Sequence, residues 1–215
     1  EQIKAYRPQV NSISSGQVLH CPYDAKGARL IVQEMADALA LDLVERRLVT
    51  DQLVLTVGYD IENITNPALS SNYHGEVVSD RYGRKIPKHA HGTVNLKFQT
   101  SSSCKIMEAV LGLYDDIVNP KLLVRRITLV ANRLVEEARA GAKEQYEQLE
   151  LFTDTDGQEE KKKQEELRLK KERSLQEVML SVKKKYGKNA MLKGMNLQEG
   201  ATAMERNSQI GGHKA

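Results

Sequence analysis

At 215 residues the chain has room for one good domain with appendages, or for two small domains. Hydrophobic residues make up 40% and aromatics 5%, with no Trp, which favours one modest aliphatic core over two. The net charge of +3 is too small to demand a nucleic-acid partner and permits one only where the cations cluster.

Cys21 and Cys104 are too few and too far apart for a disulfide framework and read as reduced thiols of a cytoplasmic protein. No apolar run approaches the roughly 18 residues of a membrane span, and no signal-peptide pattern is present. The chain opens on Glu1 without Met and reads as a piece of something larger. Residues 1–11, with Tyr6, Arg7 and Pro8, read as an entering linker.

From Ser12 to about Leu134 the pattern is strand, helix, strand, long loop, strand, helix, strand. Ser12–Leu19 is a short strand with Ile13, Val18 and Leu19 as its apolar residues. Asp24, after Pro22, can cap a helix in which Ala28, Ile31, Met35, Leu39 and Leu43 recur at helical spacing. Val49–Tyr59, rich in Val, Leu and Thr, is a second strand. Residues 61–91 read as a loop containing the basic piece Arg81-Tyr82-Gly83-Arg84-Lys85-Ile86-Pro87-Lys88.

The next strand is the clearest. Val94, Leu96 and Phe98 alternate with Thr93, Asn95, Lys97 and Gln99, giving one buried and one polar face. Thr100 to Ser103 offer caps for a second helix with the stripe Ile106/Met107, Val110, Leu111, Tyr114 and Ile117. The last strand, Leu122–Asn132, sends Ile127, Leu129 and Ala131 one way and Arg126, Thr128 and Val130 the other.

Two βαβ-like halves imply an α+β domain over residues 12–134: a split βαβ, ferredoxin-like, four-stranded sheet with both helices on one face. Residues 135–157 are a polar linker. A charged helix follows over 158–186, solvated in its first half and burying a stripe of Leu175, Val178/Met179, Val182 and Tyr186 in its second. The glycine-containing tail 187–215 lacks periodicity and is either disordered or pinned down by a partner.

Within the linker, Gln148-Leu149-Glu150-Leu151-Phe152 places two leucines and one of only two phenylalanines on an otherwise charged stretch. An apolar pair flanked by solvating residues marks a linear peptide that docks in a partner's pocket. The alternative is that Leu149, Leu151 and Phe152 fold back onto the preceding domain.

The helix-free sheet face should be the polar one, and its hydroxyls, amides and long cations suit phosphate and sugar oxygens. The Ser-rich start of the second helix adds backbone N–H groups beside Lys105, an anion site, and Arg125-Arg126 could bridge neighbouring phosphates. Against this stands the bland reading that an exposed face is polar because water touches it. His89 and His91, with His74, His20 or Cys21, match no common zinc spacing. Asp115-Asp116 fall near a helix end, where exposure explains them. No phosphate loop, nucleophile elbow or Cys/His nucleophile arrangement appears, so nothing in the chain looks catalytic.

Ser12-Ile13-Ser14-Ser15-Gly16, Gly92-Thr93-Val94-Asn95-Leu96, Leu123-Val124-Arg125-Arg126-Ile127 and the Gln148–Phe152 peptide together resemble a known family. From about Tyr6 to Phe152 the chain resembles the C-terminal little-finger portion of bacterial Y-family (translesion) DNA polymerases. The resemblance implies a sheet lying in the major groove of a primer–template duplex, gripping both strands through their backbones. The DNA-facing residues it implies are Ser14, Ser15, Thr93, Asn95, Lys97, Arg125 and Arg126, with Lys105 added from the anion-site reading. It further implies that Gln148, Leu149, Leu151 and Phe152 hold the bacterial sliding clamp, Gln148 by its amide and Leu151 and Phe152 in the main apolar pocket.

The family's catalytic carboxylates, and the Mg they bind, belong to a palm that this chain lacks. The fragment itself is therefore expected to hold no cofactor and to polymerise nothing alone. DNA repair, SOS-linked lesion bypass and a bacterial cytoplasmic, nucleoid-associated setting are what the resemblance implies. The rival reading is a non-enzymatic ferredoxin-like adaptor that binds protein and not DNA.

Overall fold

In the computed structural model, residues 11–71, 73–140, 155–210 and 213–214 are described. The main elements in chain order are β1 (Ser12–Tyr23), α1 (Ala25–Arg46), β2 (Leu48–Tyr59), α2 (Glu62–Thr65), α3 (Pro67–Ser70), β3 (Val77–Ser79), β4 (Lys85–Pro87), β5 (Ala90–Thr100), α4 (Ser103–Ile117), β6 (Val124–Asn132), β7 (Val135–Glu136), α5 (Glu137–Ala140), α6 (Thr155–Tyr186) and α7 (Ala203–Asn207).

Local chemistry sets the two main helices where the sequence predicts them. The Asp24 carboxylate accepts from the Gly27 N–H at 2.7 Å and starts α1. The Ser102 hydroxyl accepts from the Lys105 N–H at 3.2 Å and starts α4. Both helices pack on one sheet face over a core of Ile31, Met35, Leu39, Leu53, Leu55, Ile106, Val110, Ile127 and Leu129. The Tyr114 hydroxyl of α4 donates to the Ala25 carbonyl at 2.7 Å, and Arg29 of α1 meets Asp115 at 2.8 Å. The Arg29 guanidinium beside Asp115 holds its carboxyl below the usual carboxylate range.

The sheet is antiparallel throughout, in the order β1-β6-β2-β5, with β7 paired to the start of β2. Each long helix joins two strands separated by one other, which is the split βαβ plan. The gap left by the first crossover is filled by β6, the last long strand. A ferredoxin-like order would put the strand of the following hairpin, β5, there. The mixed α/β architecture with both helices on one face stands, and the ferredoxin-like strand order does not.

Several segments differ from the sequence expectation. The first strand runs on past Leu19 to Tyr23 with Val18 exposed, and the expected linker holds β7 and α5 at 135–140 and the start of α6 at Thr155. Residues 61–91 are not a plain loop: they hold two short helices and the β3–β4 hairpin, tied down by Asn63, whose amide donates to the Leu123 carbonyl and whose oxygen accepts from the Leu123 N–H, each at 2.8 Å. In β5 the alternation breaks at Lys97 and Phe98, which are both exposed, beside the register shift between Thr50 and Gln52. On α6 the expected stripe is displaced in part. Met179 is buried and Val182 half-buried as expected, but Leu175, Val178 and Tyr186 are exposed and Gln176 shares the buried side.

The displacement has a cause: α6 docks through polar contacts. Glu172 accepts from the Ser102 hydroxyl at 2.7 Å and the Cys104 N–H at 2.9 Å, so a carboxylate of the same chain sits at the start of α4. Gln176 donates to the Ser101 carbonyl and the Ser103 hydroxyl, both at 3.0 Å. Arg173 pairs with Glu137 at 2.7 Å and reaches Ser101 at 3.2 Å.

The tail then crosses α1. Glu34, buried on that helix, accepts from Asn196 Nδ2 at 2.8 Å, the Thr202 N–H at 2.8 Å, Thr202 Oγ1 at 3.3 Å and the Ala203 N–H at 3.1 Å. Lys193 pairs with buried Asp37. Residues 193–203 are held neither by a partner nor by periodic apolar packing but by polar contacts to the chain's own first helix.

Candidate nucleic-acid interface

Strand register builds the helix-free face row by row, because residues directly opposite one another share a face. One row runs Ser12, Asn132, Gln52, Asn95; the next Ser14, Val130, Val54, Thr93; the third Gly16, Thr128, Thr56, His91. Val18, Arg126 and Gly58 begin the fourth. Side-chain amides link the first row, Gln52 to Asn95 at 2.9 Å and Asn132 to Gln52 at 3.3 Å, while Thr56 meets the His91 ring at 2.9 Å in the third. The result is a shallow polar surface with a Val54–Val130 pair at its middle. Its cation is the exposed Arg126 of the fourth row; Lys97, also exposed, lies in the stretch of β5 past Asn95 that the paired rows do not reach.

The opposite face is covered. Helices α1 and α4 lie against it, α6 rests on the start of α4, and the tail lies on α1. The helix-free face is thus the open side of the sheet among the described residues.

Of the residues expected to face DNA, Ser14, Thr93, Asn95 and Arg126 stand together here, with Lys97 just beyond Asn95. Three others do not join them. Ser15 pairs with Leu129 and so falls on the helix-bearing side, because successive strand residues point to opposite faces. Lys105 is ion-paired to Glu165 of α6 at 2.6 Å, and the expected anion site at the start of α4 is filled by Glu172. Arg125 lies where the β2–β6 register shifts and its guanidinium turns to buried Asp60 at 3.6 Å. The pentapeptide Gln148–Phe152 lies outside the described residues, as do residues 1–10 of the expected linker 1–11.

The sequence reading missed Glu34 and Asp37. Their signal was present: two acids three apart in the helical stretch Ile31–Leu41, where Gln33 is the only other polar residue. No group of His, Cys, Asp or Glu suited to a metal ion occurs among the described residues, and both cysteines are free. No helix among them is long and apolar enough to cross a membrane.

The chain thus folds as a mixed sheet-and-helix domain with one open polar sheet face. The impB/mucB/samB family C-terminal domain matches residues 10–151, well over half of the chain. The chain belongs to this family, and the matched residues are the little-finger domain of a Y-family polymerase. No curated protein matches the chain.

Proposed function

We propose that the helix-free face grips the sugar-phosphate backbone of duplex DNA on behalf of a lesion-bypass polymerase. The observation that carries this is the division of the sheet: one face is closed by helices and the C-terminal segment, the other is open, polar and presents Arg126, Thr93, Asn95 and Ser14. Hydroxyls, amides and a cation carry no base code, so the grip tolerates distorted templates. The peptide Gln148–Phe152 is proposed to dock on the bacterial sliding clamp, which holds the enzyme at the primer end by raising its effective concentration.

The adaptor reading predicts saturable, salt-insensitive binding to a protein and no duplex affinity. The family match and the exposed Arg126 on the open face favour DNA. A salt titration of duplex binding separates the two. Each phosphate contact contributes about 0.9 to the slope of log K against log salt. Arg126→Ala should lower the slope by about 1 with an unchanged melting temperature. Arg125→Ala should move the slope by less than half as much and lower the melting temperature, because it strips buried Asp60 of its cation. An Arg126→Ala slope equal to wild type would remove the sheet face from the interface.

A further inference from the structure

The basic piece Arg81–Lys88, which the sheet-face grip does not use, is the tip and returning strand of the β3–β4 hairpin. Its turn is rigidly built. Asp80 Oδ1 accepts from the Tyr82 and Arg84 N–H groups at 2.8 and 2.9 Å, and Asp80 Oδ2 holds the Arg84 guanidinium at 2.6 Å. Gly83 supplies the left-handed backbone the turn requires, with φ of 77°. The base is equally fixed: Lys88 donates from its N–H to the Glu76 carbonyl at 2.9 Å, its ammonium pairs with Glu76 at 2.6 Å, and Pro87 is buried.

Onto this frame the tip mounts Tyr82, 79% exposed, with the Arg84 guanidinium carbon 5.3 Å from its ring centroid. Arg81 and Lys85, on either side, are exposed and carry no ion pair among the described residues. The hairpin runs directly into β5, where Ala90 pairs with Val57, next to the Gly58–Arg126 pair. It therefore leaves the sheet at the end of the open face where Arg126 stands.

We propose that this hairpin holds an unpaired nucleotide of a single strand adjoining the duplex. The inference rests on the duplex-binding reading for its placement. Tyr82, backed by Arg84, is a ring held ready to stack on a base, and Arg81 and Lys85 meet the flanking phosphates. A duplex hides its base faces within the stack, so a rigid, projecting aromatic between cations finds its complement in unpaired bases. The ring has few torsions to lose and the turn is already fixed, so ordering costs little.

The test compares the whole chain on a blunt duplex, on that duplex with a single-stranded overhang of about ten thymidines, and on free oligothymidine, by fluorescence anisotropy. One base stacked on an aromatic corresponds to about a tenfold gain. The overhang should tighten wild-type binding by about that factor. Tyr82→Ala and Arg81→Ala/Lys85→Ala should abolish the gain and leave blunt-duplex affinity and melting temperature alone, while Tyr82→Phe should keep it. Blunt duplex bound with no gain from the overhang overturns the hairpin inference and leaves the sheet-face reading standing. Blunt duplex unbound fails the sheet-face reading; oligothymidine binding that Tyr82→Ala abolishes then upholds the hairpin, and its absence overturns it.

Discussion

Replacing Glu34 with alanine releases the C-terminal segment from the domain and lowers stability by about 3 kcal/mol. The size follows from what the carboxylate holds. It accepts from two backbone N–H groups, at Thr202 and Ala203, and from the side chains of Asn196 and Thr202. Thr202 is buried, so its N–H loses its partner without gaining water, and an unmet buried donor costs about 1–3 kcal/mol. The Lys193–Asp37 pair, the Gln17 amide on the Thr202 hydroxyl and buried Met195 then have to keep the segment in place. Glu34→Gln should fall between: one oxygen still serves Thr202 and Ala203, while its new NH₂ faces the NH₂ of Asn196. Hydrogen exchange at residues 193–207, with thermal melting alongside, reads the effect. Protection at those residues equal to wild type in Glu34→Ala would show that the carboxylate does not hold the tail.

The second large effect concerns Gln148–Phe152, proposed to dock on the sliding clamp. Leu151→Ala/Phe152→Ala should weaken binding to a purified bacterial sliding clamp by a hundredfold or more, roughly 1.5–2 kcal/mol for each anchor removed from an apolar pocket. Gln148→Ala, which removes one amide contact, should cost roughly tenfold. The flanking chain is anchored to the domain on both sides, Glu137 before the peptide being paired with Arg173 after it at 2.7 Å. Titration calorimetry against the clamp measures both variants, and a double variant that binds like wild type would reduce the pentapeptide to a chance pattern.

What the sequence disclosed, and what it hid, divides along physical lines. Features that depend on nearest neighbours were legible: the Asp24 cap, the Ile31–Leu43 stripe, the Ile127–Leu129–Ala131 alternation and the serine-capped start of α4. Ser15 was misplaced although period-two alternation from buried Ile13 puts it on the helix side. Arg125 followed the same logic until the register shift beside Tyr59 turned it toward Asp60, and a bulge leaves no clear mark in a run such as Leu123–Ile127.

The C-terminal segment was hidden for a different reason. Its order comes from polar contacts between residues more than 60 positions apart, Gln176 with Ser101 and Ser103, Glu172 with Cys104, Glu34 with Thr202. Apolar periodicity, the signal that exposes a buried helix face, finds Met179 and Val182 on α6 but also points to Leu175 and Val178, which stand in solvent. The same contacts explain why the anion site expected beside Lys105 is not open: the chain supplies its own anion.

If the open sheet face is the proposed DNA-binding surface, amide chemical shifts mapped as duplex DNA is added should move along the face rows, at Ser14, Gly16, Thr93, Asn95, Arg126 and Thr128. Those shifts should weaken as salt rises, with α1 and the tail unmoved. Shifts concentrated on α1, α4 or the C-terminal segment, with the face rows silent, would contradict the proposal.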